Sequence, residues 1–259
     1  MAAPESIRLP FADRAAAGRL LGEALARRLG PATRDLVVLG IPRGGVVCAA
    51  EVAALLRVPL DVVAARKIGA PGHEELAIGA ATADGTVILE PWAAETGADD
   101  AYLAGAAART IAAAREREAL LRRGRPRVPL AGRVAVIVDD GIATGATMHA
   151  AILAARAAGA RRVVAAAPVG ARESVERLAA VADEAVVLAT PEPFYAVGDS
   201  YVRFDQTSDD EVVALLGAAF RAPAPGSDVA NAPGIGVATA TEPQPTDDPI
   251  GADVPDRRA

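Results

Sequence analysis

A chain of 259 residues suffices for one large domain or two small ones. It is 52 % hydrophobic but only 3 % aromatic, so alanine, valine and leucine have to supply the core. The formal net charge of −6 argues against a nucleic-acid surface, no apolar run approaches the ~18 residues that cross a membrane, and two histidines with one cysteine offer no zinc-type ligand spacing. The lone Cys48 excludes an internal disulfide and agrees with a reducing cytoplasm, and the opening MAAPESIRLPF lacks the basic-then-apolar pattern of a secretory signal.

In chain order, residues 13–29 repeat apolar side chains at helical spacing behind Asp13, a suitable N-cap. Residues 36–41 read as a short strand, 44–56 as a helix in which Cys48 is a small core residue, and 58–65 as the next strand. Residues 77–82 and 86–89 flank Asp84-Gly85, a hairpin signal. A long helix is predicted over 99–123, a buried strand over 134–138, strands over 162–167 and 185–189 around a helix at 173–181, and a last helix over 209–220 capped by Ser208 or Asp209. Apolar strands alternating with helices predict an α/β domain with a mainly parallel sheet flanked by helices, its ligands gathered at the carboxyl ends of the strands. Residues 222–259 hold seven of the 19 prolines, six acids against two arginines and no aromatic residue. They read as a disordered acidic tail after a domain spanning 1–221.

The stretch VAVIVDDGIATGATM, residues 134–148, carries the strongest chemical signal. Asp139 and Asp140 end its strand, Gly141 breaks it, and Ala143, Thr144, Gly145, Ala146 and Thr147 lead into a helix whose N-terminal amides suit an anion. A sugar phosphate explains both halves: phosphate for the amides, ribose hydroxyls and Mg²⁺ for the carboxylates. A second loop, GIPRGG at 40–45, puts Arg43 at another helix N-terminus, where the dipole disfavours a cation unless an anion lies between them. Gly44 and Gly45 let the backbone approach a ligand closely. Of 27 basic residues 26 are arginine, and the single lysine, Lys67, follows the strand at 58–65 at the same sheet edge. A compact ammonium and a planar guanidinium are not equivalent at a tight anion site. The segment that follows, IGAPGHEELAIGA, reads as a mobile loop bearing His73, Glu74 and Glu75. Four of the eight aromatic residues, Phe194, Tyr195, Tyr201 and Phe204, cluster at 193–204. They form either a wall that stacks on a base or a small satellite core.

VDDGIATGAT, together with GIPRGG, RKIGAPG and PFYAVG in that order, resembles the type I phosphoribosyltransferases, and in particular a group of bacterial members, over residues 8–221. The resemblance implies that family's fold with a small hood over about 1–12 and 190–221, and transfer from 5-phosphoribosyl 1-pyrophosphate (PRPP) to a nitrogen acceptor such as a nucleobase. It implies Mg²⁺ as cofactor, held at Asp139 and Asp140 through bound water or the ribose. PRPP would be bound by Arg43, Gly44, Gly45, Lys67, Asp139, Asp140, Gly141, Ala143, Thr144, Gly145, Ala146 and Thr147. Arg43, Lys67, Asp139, Asp140 and Glu75 would carry the chemistry. Phe194, Tyr195 and Tyr201 would hold the base. The resemblance also implies a non-proline cis peptide just before Arg43 and a loop after Lys67 that closes over PRPP. Partners are PRPP and a small acceptor, with no nucleic acid or membrane, and a homo-oligomer is compatible with the family. Hypoxanthine–guanine members carry an acid where this chain has Ala143 and a lysine in the hood, so the resemblance points away from a 6-oxopurine. Two other readings share the same cradle: a non-catalytic PRPP- or nucleotide-binding regulator, and a phosphorolytic enzyme.

Overall fold

The computed structural model describes residues 8–30 and 35–221, apart from the side chains of Glu75 and Arg221; the tail read over 222–259 lies outside the described residues. The elements run α1 (Arg14–Leu29), β1 (Leu36–Gly40), α2 (Gly44–Leu56), β2 (Leu60–Val62), β3 (Ala65–Ala70), β4 (His73–Thr82), β5 (Val87–Leu89), α3 (Asp100–Arg122), β6 (Val134–Val138), α4 (Ala146–Ala157), β7 (Arg162–Val169), α5 (Arg172–Ala179), β8 (Glu184–Ala189) and α6 (Asp209–Arg221). None of the described helices is long and apolar enough to cross a membrane.

Helix signals in the sequence have the expected physical counterparts. Asp13 accepts the Ala16 N–H at 2.8 Å, a cap that contributes about 1 kcal/mol. Asp99 does the same for Tyr102 at 2.7 Å, and Ser208 Oγ accepts the Glu211 N–H at 3.1 Å. Five strands form a parallel sheet in the order β2-β1-β6-β7-β8. Every residue of β1 and β6 is buried, as a sheet covered on both faces requires. Leu36, Val38, Val134, Val136 and Val138 face one core with Leu21, Leu25 and Val52 of α1 and α2. Val37, Leu39, Ala135 and Ile137 face the other, with Met148 and Ile152 of α4 and Leu178 of α5. The α/β architecture with a mainly parallel sheet and a hood is therefore the one expected.

The register positions the site. Gly40 lies opposite Val138, so the loops that follow β1 and β6 leave the sheet side by side.

Two expectations are corrected. The single strand over 58–65 is instead two, in different sheets: β2 pairs with β1, and β3 starts an antiparallel sheet β3-β4-β5. The break falls where the Ala64 N–H turns to Glu118 Oε1 at 3.1 Å instead of a strand partner. The segment after Lys67 is no open loop. It is the β3–β4 hairpin, turning at Pro71-Gly72 with Gly72 at φ +73°. Ile68 and Ala70 of β3 and Ile78 and Ala81 of β4 gain burial against Ala98, just before α3, and Ala106 within it.

The hood joins residues 10–12 to 200–203. Phe11 N–H donates to Ser200 C=O at 2.8 Å, Val202 N–H to Phe11 C=O at 2.8 Å and Arg203 N–H to Ala12 C=O at 3.0 Å. Helix α6 packs on α2, α3 and β2 and buries Val212 and Leu216 in the main core.

Candidate active site

Asp139 and Asp140 leave the carboxyl end of β6 at the centre of the sheet, and the 40–45 loop closes against them. The peptide between Pro42 and Arg43 is cis, where one was expected. A Cβ on Gly44 would lie 1.9 Å from Asp140 Oδ2, and one on Gly45 would lie 2.8 Å from the Asp139 Cα. Only glycine allows this loop to sit so close to the acids. Gly44→Ala therefore wedges Asp140 away from its position, and about a 10²-fold loss of turnover is expected, since displacements of an ångström cost that much. Steady-state kinetics of the variant checks this, with thermal melting to show that the fold persists.

The acid pair is electrostatically asymmetric. Desolvation and the neighbouring Asp140 carboxylate push the Asp139 carboxyl well above the ordinary range, although the Asp140 N–H donates to Asp139 Oδ1 at 2.9 Å and opposes the shift. Asp140 has an ion partner: Arg14 Nε donates to its Oδ2 at 2.6 Å, with the two side chains only 13 % and 15 % exposed. Tyr201 Oη donates to the Asp140 backbone carbonyl at 2.5 Å, and burial pushes that phenol upward, so it stays protonated. Cys48 donates its thiol to the Arg14 carbonyl at 3.3 Å. Burial and both aspartates raise the thiol well above its usual range, in keeping with a neutral core residue.

The loop from Ile142 to Gly145 is held from behind. Ile142 bridges to Gly170, Ser174 Oγ donates to the Ala143 carbonyl at 2.6 Å, and Arg177 donates to the Thr144 carbonyl at 3.0 Å. Gly145, at φ +82°, precedes α4, and the first helical bond runs from His149 N–H to Gly145 C=O at 2.9 Å. The amides before His149 are the ones a helix N-terminus leaves without an intrahelical acceptor. Thr144 Oγ1 lies 3.5 Å from one of them, that of Ala146.

The arginine and lysine after β2 separate. Arg66, Ile68 and Ala70 share one face of β3, toward α3; Arg66 lines an open cavity of about 340 Å³ with Pro42, Arg43, Ala64, Ala65 and Arg117. Lys67 lies on the opposite face with Ala65, which packs with Ala80, Ala146 and Ala150 on the α4 side, and Lys67 is exposed there. Arg43 Nη1 is 3.9 Å from Asp209 Oδ1, and Arg117 grips the same carboxylate with both terminal nitrogens. His73 and Glu74 are exposed at the far turn of the hairpin, and the Glu75 side chain lies outside the described residues.

One aromatic expectation is corrected. Tyr201 is 6 % exposed and packs with Phe11, Ala17 and Val169, with its ring stacked on Phe204 at 5.0 Å, so it belongs to the hood core and cannot stack on a base. Phe194 is half-buried against the same cluster. Tyr195 is 82 % exposed.

Arg14, Arg117, Ser174, Arg177 and Asp209 are site-shaping residues that sequence reasoning passed over. Arg14 had a signal: a cation in the first turn of a helix, behind its cap, needs a nearby anion as much as Arg43 does.

This geometry, two glycine-containing strand-to-helix loops meeting at a carboxylate pair at the carboxyl edge of a parallel sheet, defines an α/β domain with its candidate site at the strand ends. Residues 13–191 match the phosphoribosyl transferase domain family, and the chain belongs to it. The crystal structure of TT1426 from Thermus thermophilus is similar at a TM-score of 0.69 and 48 % identity, covering 80 % of this chain and 98 % of that one. Two Mycobacterium tuberculosis proteins, Rv0571c and MT0597, each named as a candidate phosphoribosyl transferase, are 51 % identical over 212 residues, 82 % of this chain. The chain spans about half of these curated relatives, 47 % of their length.

Proposed function

We propose that this chain transfers the phosphoribosyl group of PRPP to a nitrogen nucleophile, with a nucleobase as acceptor, and releases diphosphate. The observation that carries this reading is the contact of Gly44 and Gly45 with Asp140 and Asp139, which brings a second anion loop to the acids beside the α4 N-terminus. The amides of Thr144, Gly145, Ala146 and Thr147, with both threonine hydroxyls, hold the 5-phosphate, while Gly141 and Ala143 shape the turn. Asp139 and Asp140 hold the ribose hydroxyls. Arg43, the backbone of Gly44 and Gly45, and Lys67 receive the diphosphate. The C1–O bond breaks with its electron pair leaving on diphosphate, the acceptor nitrogen bonds to C1, and the acceptor gives up a proton, for which Glu74 or Glu75 would be the base. Catalysis is then largely positioning and charge stabilisation.

The acid pair fits Mg²⁺ shared with the substrate. Among the described residues no group of three or more His, Cys, Asp or Glu side chains could cage a metal, and two carboxylates beside a diphosphate are what Mg²⁺ commonly uses. When bound there it would neutralise charge on the departing diphosphate. Tyr195, which is 82 % exposed, and the half-buried Phe194 would contact the base.

A screen of nucleobases with PRPP, read by diphosphate release, tests the reading and identifies the acceptor. PRPP bound without turnover against every base would make the chain a regulator, and release stimulated by inorganic phosphate would make it phosphorolytic. Lys67→Arg keeps the charge and changes the head group, so a fall in kcat/KM for PRPP of at least about 10-fold is expected. Near-normal kinetics would remove Lys67 from the site.

A further inference from the structure

We infer that Arg14 is the positioning residue for Asp140, and that through it the hood and the acid pair form one mechanical unit. This rests on the phosphoribosyl-transfer reading above. Arg14 follows the N-cap of α1, where the helix dipole opposes its charge, yet its side chain is only 13 % exposed and turns inward. Nε donates to Asp140 Oδ2 at 2.6 Å, Nη1 donates to the Asp205 carbonyl at 2.6 Å, and the guanidinium carbon lies 3.8 Å from the centroid of the Phe204 ring. The last two partners belong to the chain just past the hood bridge.

Asp140 is thus held twice by the same region: its carboxylate by Arg14, its backbone carbonyl by Tyr201 Oη at 2.5 Å. Oδ2 is pinned directly over Gly44, where a Cβ would approach it to 1.9 Å and Arg14 Nε to 2.6 Å. The ion pair engages one carboxylate oxygen and leaves Oδ1 for the ribose. Any shift of the 200–205 segment is transmitted to the carboxylate oxygen that would orient the donor sugar. A lysine cannot reproduce this, because a single ammonium cannot bond Asp140 and Asp205 while lying flat on Phe204.

The test uses Arg14→Met and Arg14→Lys, each alone and combined with Asp140→Asn, with thermal melting to confirm folding. Two quantities are read: Kd for PRPP in Mg²⁺ by calorimetry, and kcat with the acceptor found for the wild type. Arg14→Met is expected to weaken PRPP about 10-fold and lower kcat about 10²-fold, with Arg14→Lys recovering less than a tenth of the lost turnover. In the Asp140→Asn background the same replacement should change Kd less than about 2-fold, because its target is gone. Wild-type kinetics for Arg14→Met, or losses that add in full to those of Asp140→Asn, would overturn the inference. A wild-type protein inert toward PRPP would instead overturn the transferase reading, so the two failures are told apart.

Discussion

Replacing Asp139 and Asp140 together with asparagine is expected to lower PRPP turnover by about 10³-fold or more while the fold persists. The exchange keeps shape and hydrogen-bonding oxygens but removes both charges from the position where the ribose and Mg²⁺ would sit, and single electrostatic contacts at such positions commonly carry 10²–10³-fold each. The Asp140→Asn exchange keeps an oxygen for Arg14 Nε to donate to but removes that guanidinium's counter-charge, so melting is measured beside the kinetics. Burial and Asp140 raise the Asp139 carboxyl in the folded state, so Asp139 favours folding below its unfolded pKa, and that contribution is lost as pH rises through the folded value. Above the ordinary carboxylate range the native protein therefore gives up stability to Asp139, and Asp139→Asn should flatten that decline. Melting curves across pH check the second point and steady-state kinetics the first. Turnover within a few-fold of wild type would refute the role of the acids.

Arg122→Met is expected to destabilise the fold by about 3–5 kcal/mol, the usual cost of orphaning buried charges. Arg122 is 9 % exposed and stands between Asp61 at 6 % and Glu118 at 5 %. Its Nε donates to Asp61 Oδ1 at 2.8 Å, Nη1 pairs with Glu118, and Nη2 donates to the Val62 carbonyl at 2.6 Å. The cluster fastens α3 to β2 and satisfies Val128 N–H at 2.9 Å and Ala64 N–H at 3.1 Å, the point where the chain leaves one sheet for the other. Without the guanidinium two carboxylates stay buried with amides and Arg127 as their remaining partners. Chemical denaturation measures the loss; a change below about 1 kcal/mol would mean that the pocket admits water and screens the charges.

What the chain announces locally, the fold repeats. Helix α2 occupies 44–56 as read, β6 occupies 134–138, and Asp13, Asp99 and Ser208 cap the helices they precede. The loops after β1 and β6 were legible as strand-to-helix turns because strand, glycine and helix start are adjacent in sequence. Non-local choices were not. The apolar run at 58–65 gives no sign of which sheet each half joins, since that is settled by Glu118, 54 positions away. Alternation along β3 separates Arg66 from Lys67, and it becomes visible only once 65–70 is known to be a strand. An aromatic cluster does not declare whether it is wall or core, and Tyr201 proves to be core because Phe11, far earlier in the chain, packs against it. Arg14 and Asp140 are 126 positions apart, a pairing no local pattern encodes.

The most direct test of phosphoribosyl transfer is to incubate the full chain with Mg²⁺, PRPP and each nucleobase in turn, measuring diphosphate and the 5-phosphoribosylated base together by mass spectrometry. One base should yield both products in equal amounts, with no diphosphate released when the base is left out. Diphosphate release independent of any acceptor, or PRPP recovered intact with every base, would contradict the assignment.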